Sequence, residues 1–362
     1  MNKYKVYVYA ICKNEEKFVK RWVASMSEAD DIFVLDTGSS DNTVKLLSDL
    51  GVTVFQQEIK PWRFDLARNK SLELVPHDAD ICVCTDLDEV FHSGWREALE
   101  KAWDESTTRI RYRYTWNFNA DGSEGTVFYI DKIHSRKDYV WINPVHEVLK
   151  WCVKDNEPYP KIAEGIQLDH FADNSKPRSQ YLPLLELAVS EDPQNDRNMH
   201  YLGREYMFYG KWDKCIETLK RHLNLKSATW ADERSASMRF IARSYINLGN
   251  LSEAQSWCHR AIAEAPHLRE PYLEYGALAL TISDWELLVW LTKKALSITD
   301  RPKTYITEAA SWGSLPYDLG SIGHYHLGNF RKSLEYIDKA ISLSPYDERL
   351  KSNRELILKE TS

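Results

Sequence analysis

Asp86-Leu87-Asp88 places two carboxylates one residue apart at the end of the apolar run Ile81-Cys82-Val83-Cys84-Thr85. The run reads as a buried parallel strand, and the carboxyl ends of such strands are where open α/β sheets bind ligands. Paired carboxylates combined with substrate phosphates are how proteins hold Mg²⁺ or Mn²⁺ without a full protein cage. The chemistry implied is that of a metal-bound diphosphate. An Asp-x-Asp alone is a common loop feature, so the surrounding segments decide its meaning.

Three other segments carry polar groups at equivalent places. Ala10-Ile11-Cys12-Lys13-Asn14-Glu15-Glu16 ends an earlier apolar run. Asn14 is suited to cap the helix that follows, and acids in its first turn favour the dipole. Asp36-Thr37-Gly38-Ser39-Ser40-Asp41-Asn42-Thr43 follows a second run, with Gly38 allowing a tight turn. By itself it reads as a capped turn as readily as a ligand site. Arg63-Phe64-Asp65-Leu66-Ala67-Arg68-Asn69 opens a helix whose Arg68 either reaches a phosphate or meets solvent. Further on, Arg109-Ile110-Arg111-Tyr112-Arg113-Tyr114-Thr115-Trp116 alternates strictly, so its three arginines share one strand face. That face is either solvated or a surface for an anionic acceptor or donor phosphate.

Positioning these groups requires a sheet. Strands are expected over Val6–Ile11, Ile32–Leu35, Val52–Phe55 and Ile81–Thr85, with helices over Glu15–Ser27, Asp41–Leu50 and Asp65–Leu74 between them. On the first helix Val19, Trp22, Val23 and Met26 recur at helical spacing and should face the sheet. This βαβαβαβ order means parallel strands with right-handed crossovers.

From about Lys176 the pattern becomes helix after helix. Four hinge positions organise it, Gly210, Gly249, Ser283 and Gly328, spaced by 39, 34 and 45 residues. Five residues after each stand Cys215, Ala254, Leu288 and Ser333; twelve after stand His222, Ala261, Ala295 and Ala340. This small-residue lattice resembles tetratricopeptide repeats, with an insertion around Tyr305–Ser314 and a capping helix over Tyr346–Lys359. The helices Asn198–Tyr209 and Arg234–Asn247 should line an inner face, with Arg204, Arg239 and Arg243 as groove or solvated residues. Domains are expected at 1–175 and 196–362, joined by a connecting helix over 176–195.

At 362 residues two domains are the natural expectation. The formal charge of −7 argues against non-specific nucleic-acid binding, although a local basic groove stays open. Six scattered cysteines form no zinc or disulfide pattern, which reads as reduced thiols in a cytoplasmic protein. The N-terminus is too polar for a signal peptide, and no run of about 18 apolar residues is present to span a membrane.

The chain resembles family 2 glycosyltransferases of GT-A fold over residues 4 to about 172. The stretches that carry the likeness are Lys13-Asn14-Glu15-Glu16, Asp36 through Thr43, Ala67-Arg68-Asn69, Asp86-Leu87-Asp88-Glu89 and Trp141-Ile142-Asn143-Pro144-Val145-His146-Glu147. Bacterial and phage members with appended tetratricopeptide-like repeats are similar along nearly the whole chain. The resemblance implies a soluble, metal-dependent, inverting transferase using Mn²⁺ or Mg²⁺ and a nucleotide-sugar, foremost a UDP-sugar, with GDP, CMP and dTDP donors open. It implies Asp36 at the base or ribose, Asp86 near the ribose or diphosphate, Arg68 near the diphosphate or sugar, and Ile11, Asn14, Glu16 and Leu87 along the donor. Asp88 and the late His170 would hold the metal. The Glu-Asp pair from which many members draw their base is missing. Glu147 is therefore the first candidate, followed by Asp131 and His146, while pairing with Arg136 or Lys137 is the structural alternative for Glu147. The acceptor is a glycan, a peptide or protein, or a modified nucleic-acid base, and the repeats shape its groove, self-associate or recruit a protein partner. A non-catalytic scaffold with a relic GT-A domain is the rival reading. A nucleotidyltransferase would need a Gly-rich basic loop after the first strand, where Cys12-Lys13-Asn14-Glu15-Glu16 stands instead.

Overall fold

The structure, a computed structural model, describes residues 3–119, 121–173 and 179–361. It divides into two units, Met1–Ala188 and Val189–Ser362. The boundary expected at 175/176 lies outside the described residues.

The first unit opens with the expected alternation: β1 (Val6–Cys12), α1 (Glu16–Met26), β2 (Asp31–Asp36), α2 (Thr43–Asp49), β3 (Thr53–Gln56), α3 (Phe64–Glu73) and β4 (Ile81–Thr85). β1 pairs in parallel with both β2 and β4, and β2 with β3. The chain thus builds outward from β1 in one direction and then returns to its other side. That reversal between β1 and β4 is the topological switch point at which such sheets open a crevice. After β4 follow β5 (Glu89–Phe91), α4 (Trp95–Ala102), β6 (Arg109–Thr115), β7 (Val127–Ser135), β8 (Tyr139–Ile142), β9 (Val148–Trp151) and β10 (Lys161–His170). The eight-stranded sheet runs β3-β2-β1-β4-β7-β6-β10-β5, with β8 and β9 as a separate hairpin. β7 lies antiparallel to both β4 and β6, while β10 pairs in parallel with β6 and antiparallel with β5.

Alternation along the strands gives the sheet two apolar faces. One face, with Val6, Val8 and Ala10, meets Val19, Trp22 and Met26 of α1 as their helical spacing predicts; Val23 is partly buried against the same core. The other face, with Tyr9, Cys82 and Cys84, meets Trp141 and Leu149 of the hairpin. Within that second core Tyr9 Oη lies 2.7 Å from His134 Nε2 and accepts from Trp141 Nε1 at 2.8 Å. Burial pushes the His134 imidazolium down to about 4, so this ring is neutral.

After α5 (Tyr181–Glu191), most of which belongs to the first unit, come four helical hairpins: α6 (Asp196–Phe208) with α7 (Trp212–Asn224), α8 (Ala231–Asn247) with α9 (Leu251–Glu264), α10 (Glu270–Thr281) with α11 (Trp285–Ser297), and α13 (Leu315–His326) with α14 (Phe330–Leu343). A single turn, α12 (Ala309–Trp312), lies in the insertion, and α15 (Glu348–Thr361) packs Leu350 and Ile357 against α14. All four predicted hinges adopt left-handed backbone, with φ of 65° at Gly210, 77° at Gly249, 59° at Ser283 and 72° at Gly328. The positions five and twelve residues beyond each hinge are all fully buried. Close approach explains the small residues: a Cβ on Gly203 would stand 2.2 Å from Leu219 Cδ2. The expected order, an α/β domain followed by helical repeats, is the one found. All six cysteines are free thiols, and no helix among the described residues is long and apolar enough to cross a membrane.

The inner-face arginines depart from the solvated reading. Arg239 is buried and pairs with Glu308 at 2.8 Å, while Arg243 pairs with Glu274 at 2.5 Å. Glu308 comes from the insertion, which also places Tyr305 against Tyr201 and Trp230 and bonds the Trp312 indole to Glu270. The insertion therefore occupies the face that the arginines were expected to offer. Arg204 instead lies over the Tyr201 ring, 4.5 Å from its centroid.

Candidate active site

Asp86 and Asp88 follow directly from the carboxyl end of β4. Asp86 accepts from Arg68 Nη2 at 2.8 and 3.1 Å and from Lys132 Nζ at 3.0 Å. Desolvation would raise its carboxyl pKa, but the two cations outweigh it and hold the group well below the usual range. Lys132 also bonds Glu89 Oε1 at 3.0 Å, and the Tyr114 hydroxyl donates to that oxygen at 2.9 Å. Leu87 turns the other way: its side chain is buried in the core, so only its backbone faces the crevice.

Arg68 joins three segments that are remote in sequence. Its Nη2 holds Asp86 just beyond β4, its Nε donates to Glu147 Oε1, and its guanidinium stands 5.4 Å from the centre of the Trp141 ring. The adjacent Asn69 bonds both backbone groups of Trp141, accepting from its N–H and donating to its carbonyl at 2.8 Å each. The Ala67-Arg68-Asn69 motif thus clamps the loop between β8 and β9 that carries Glu147. Within this loop Asn143 and His146 have φ of 79° and 53°, a conformation that is costly for non-glycine residues. The His146 ring is tilted against Tyr181 at 5.9 Å. Neither structural partner expected for Glu147 is used: Arg136 donates to the Val75 carbonyl, and Arg68 takes the carboxylate.

Asp88 faces His170 at the end of β10, with Oδ2 3.3 Å from Nε2. His170 Nδ1 lies 2.8 Å from the Trp116 carbonyl, which can only accept, so Nδ1 carries a proton. Trp116 also stacks on the ring at 4.6 Å. Nε2 is then the atom that meets Asp88, either as a second N–H or as a lone pair. Desolvation opposes protonation, but Asp88 prevails and raises the pKa. A carboxylate oxygen and an oriented imidazole nitrogen at this spacing also suit a divalent cation, because a ring fixed through Nδ1 offers Nε2 as ligand.

The two earlier loops lock each other. Asp36 is fully buried, and its carboxylate accepts from the N–H groups of Gly38 and Ser39. Asn14, with φ of 55°, does not cap α1; its Oδ1 accepts from Ser40 N–H at 2.7 Å while its own N–H bonds Ser39 Oγ. Glu16 Oε2 accepts from the backbone and side chain of Asn42 at 3.0 Å each. Ile11 packs with Leu35 and Ala67 beneath these loops.

Asp131 stands apart on β7, 3.4 Å from both Arg109 and Arg111, while Arg113 pairs with Glu124 at 2.5 Å. The arginine face of β6 exists as predicted but is largely neutralised by Asp131 of the neighbouring strand and by Glu124 and Glu157 of connecting segments. Sequence reading missed Lys132. The available signal was a lysine inside the apolar strand Val127–Ser135, but only the β4–β7 pairing brings it beside Asp86.

Residues 7–145 match glycosyl transferase family 2. No curated protein matches the chain. Among solved structures, similarity runs to the APC/C hetero-tetramer Cut9-Hcn1 (14% identity, TM-score 0.43, covering 51% of this chain and 33% of that one). It also runs to a thermophilic TPR protein of Thermus thermophilus (19%, 0.37, covering 50% and 90%) and a tetratricopeptide repeat protein from Parabacteroides merdae (17%, 0.39, covering 51% and 66%). The chain spans about a third of the Cut9-Hcn1 chain it matches. With the strand-end carboxylates, the Arg68 clamp and the switch-point crevice in place, residues 7–145 are a glycosyl transferase family 2 domain, followed in this chain by a helical repeat array.

Proposed function

We propose that the N-terminal domain transfers a sugar, with inversion, from a nucleotide-sugar to a hydroxyl or other nucleophile of a glycan, a peptide or protein, or a modified nucleic-acid base. A UDP-sugar is the first donor to test. The observation that carries the reading is the Asp88–His170 pair set beside the Arg68–Asp86–Lys132 cluster at the carboxyl edge of the sheet. Bound there, Mn²⁺ or Mg²⁺ would offset the charge that develops on the leaving diphosphate.

The chain's own residues supply the rest. Asp36, immobilised by two turn amides, is assigned to the base or ribose of the donor, with Ile11, Asn14, Glu16 and Leu87 backing the same wall. Asp86 is kept ionised by two cations and faces the ribose and diphosphate. Arg68 is only 3% exposed, so its role is to position Asp86 and Glu147. Glu147 is assigned as the base: Arg68 engages Oε1, which orients the second oxygen toward an acceptor proton. It is preferred to Asp131, which alternation along β7 turns to the face opposite Lys132 and Asp86, and to His146, which packs on Tyr181.

Calorimetric titration of UDP-, GDP-, CMP- and dTDP-sugars, with and without Mn²⁺, tests this reading. One nucleotide should bind only with metal, and Asp88→Ala should lose that binding while keeping its melting temperature. Equal donor affinity of Asp88→Ala in Mn²⁺ would remove the proposed ligand. Failure of every donor to bind the folded protein would defeat the reading as a whole.

A further inference from the structure

The repeat unit holds a second constellation, independent of the glycosyl-transfer reading. His200 on α6, His222 on α7 and Glu233 on α8 each bring a ligand-type atom within 4.8 Å of the other two. Both histidines are fully buried and Glu233 nearly so. Such groups do not gather in a helical core without a cost in desolvation.

Ser237, one turn beyond Glu233 on α8, stands behind both rings. Its Oγ lies 2.8 Å from His200 Nδ1 and 3.0 Å from His222 Nδ1. The hydroxyl has one proton, so at least one ring must itself donate from Nδ1. With both Nδ1 atoms held by Ser237, the two Nε2 atoms are the ones left for a ligand, as in metal-binding histidines oriented by a hydrogen bond behind the ring. His222 Nε2 already lies 3.3 Å from Glu233 Oε1. Zinc–ligand bonds of about 2.0–2.1 Å in a tetrahedron place neighbouring ligand atoms about 3.3–3.4 Å apart. His200 Nε2 has no hydrogen-bond partner among the described residues although its ring is fully buried. The Tyr305 hydroxyl donates to the other oxygen of Glu233 and fixes the carboxylate. Arg204 and Arg239 both act on His200 and would oppose a cation; Glu308 pairs with Arg239 at 2.8 Å and offsets Arg204 as well.

We propose that His200, His222 and Glu233 form a buried Zn²⁺ site that ties α6, α7 and α8 together, with a fourth position left for water. Two imidazoles and one carboxylate are a zinc-type donor set. The site would link the first helical hairpin to the first helix of the second, where without a metal Ser237 holds both rings and Glu233 meets His222 alone.

The test uses the full-length Asp88→Ala protein, so that the proposed sheet-edge ligand is absent. After chelator treatment it is titrated with Zn²⁺, and separately with Co²⁺ as a spectroscopic probe. One equivalent should bind, Co²⁺ should give the visible bands of a tetrahedral nitrogen–oxygen site, and Zn²⁺ should raise Tm by several degrees. Adding His200→Gln or Glu233→Gln should abolish the bands and weaken zinc binding at least tenfold while the far-UV spectrum without metal stays unchanged. No zinc uptake by the parent protein, or equal uptake by both variants, would reduce the cluster to a hydrogen-bonded core network and overturn the proposal. Should one variant not fold, the other decides.

Discussion

Left-handed backbone is used differently in the two halves of the molecule. Among the described residues, three of the four non-glycine positions with positive φ, Asn14, Asn143 and His146, lie in loops of the candidate site. The hinges of the repeat array use the same conformation with glycine at three of their four positions. A hinge needs only the backbone shape, which glycine adopts without steric penalty. A site loop needs the side chain as well: Asn14 Oδ1 accepts from the Ser40 N–H, and the His146 ring lies against Tyr181. Strain retained where glycine would remove it marks positions whose side chains are in use.

The comparison breaks first at Glu147. Glu147→Gln keeps the shape and an acceptor for Arg68 but cannot take a proton. Transfer should fall about 10²–10⁴-fold with donor affinity unchanged in calorimetry; normal turnover would move the base elsewhere and leave the strained loop without a chemical purpose. Arg68→Met tests the clamp itself. Removing the cation leaves Glu147 without its partner and Asp86 with Lys132 alone, so unfolding free energy should drop by about 3–5 kcal/mol in urea titrations. A loss below about 1 kcal/mol would mean the carboxylates are solvated and the clamp is not structural.

How much of this was legible follows from distance along the chain. The hinges and the positions five and twelve beyond them depend on local spacing, and every one appears where the sequence places it. The first four strands are equally readable, because β1 to β4 follow a repeating βαβ pattern. The Arg68–Glu147 and Asp86–Lys132 contacts are not readable, since they join residues 79 and 46 apart through pairings of β7 and the β8–β9 hairpin. Charge alone misled at Arg239: a helix arginine looks solvated until the insertion supplies Glu308. Asn14 looked like a helix cap, and its bond to the neighbouring loop depends on strand register that a single segment does not contain.

A pH titration sharpens the comparison at its base. His134 lies in the buried network with Tyr9 and Trp141 behind the site loop, and its pKa falls from 6.5 to about 4 on folding. Between those values the unfolded chain binds the proton and the folded chain does not. Stability from this residue is therefore complete above pH 6.5 and lost as pH falls toward 4, by about 3 kcal/mol in all. Urea titrations at pH 7 and 4.5 should show His134→Gln losing less stability on acidification than the wild type, by about 2–3 kcal/mol. Equal acid sensitivity would place the titrating group elsewhere.

The smallest effect is expected at Ser283, the one hinge without glycine. Its φ of 59° costs an L-residue about 1–2 kcal/mol, and no hydrogen bond of its hydroxyl is found among the described residues. Glycine would relieve the strain but give back about 0.5–1 kcal/mol through the greater freedom of the unfolded chain. Ser283→Gly should therefore raise stability by about 0.5–1 kcal/mol, read as a rise of roughly 1–4 °C in Tm. Gly249→Ser, the reverse change in the preceding hairpin, should cost a similar amount. If Ser283→Gly instead destabilises the protein, the Ser283 side chain is in use, and this hinge belongs with Asn14 and His146 rather than with the glycines.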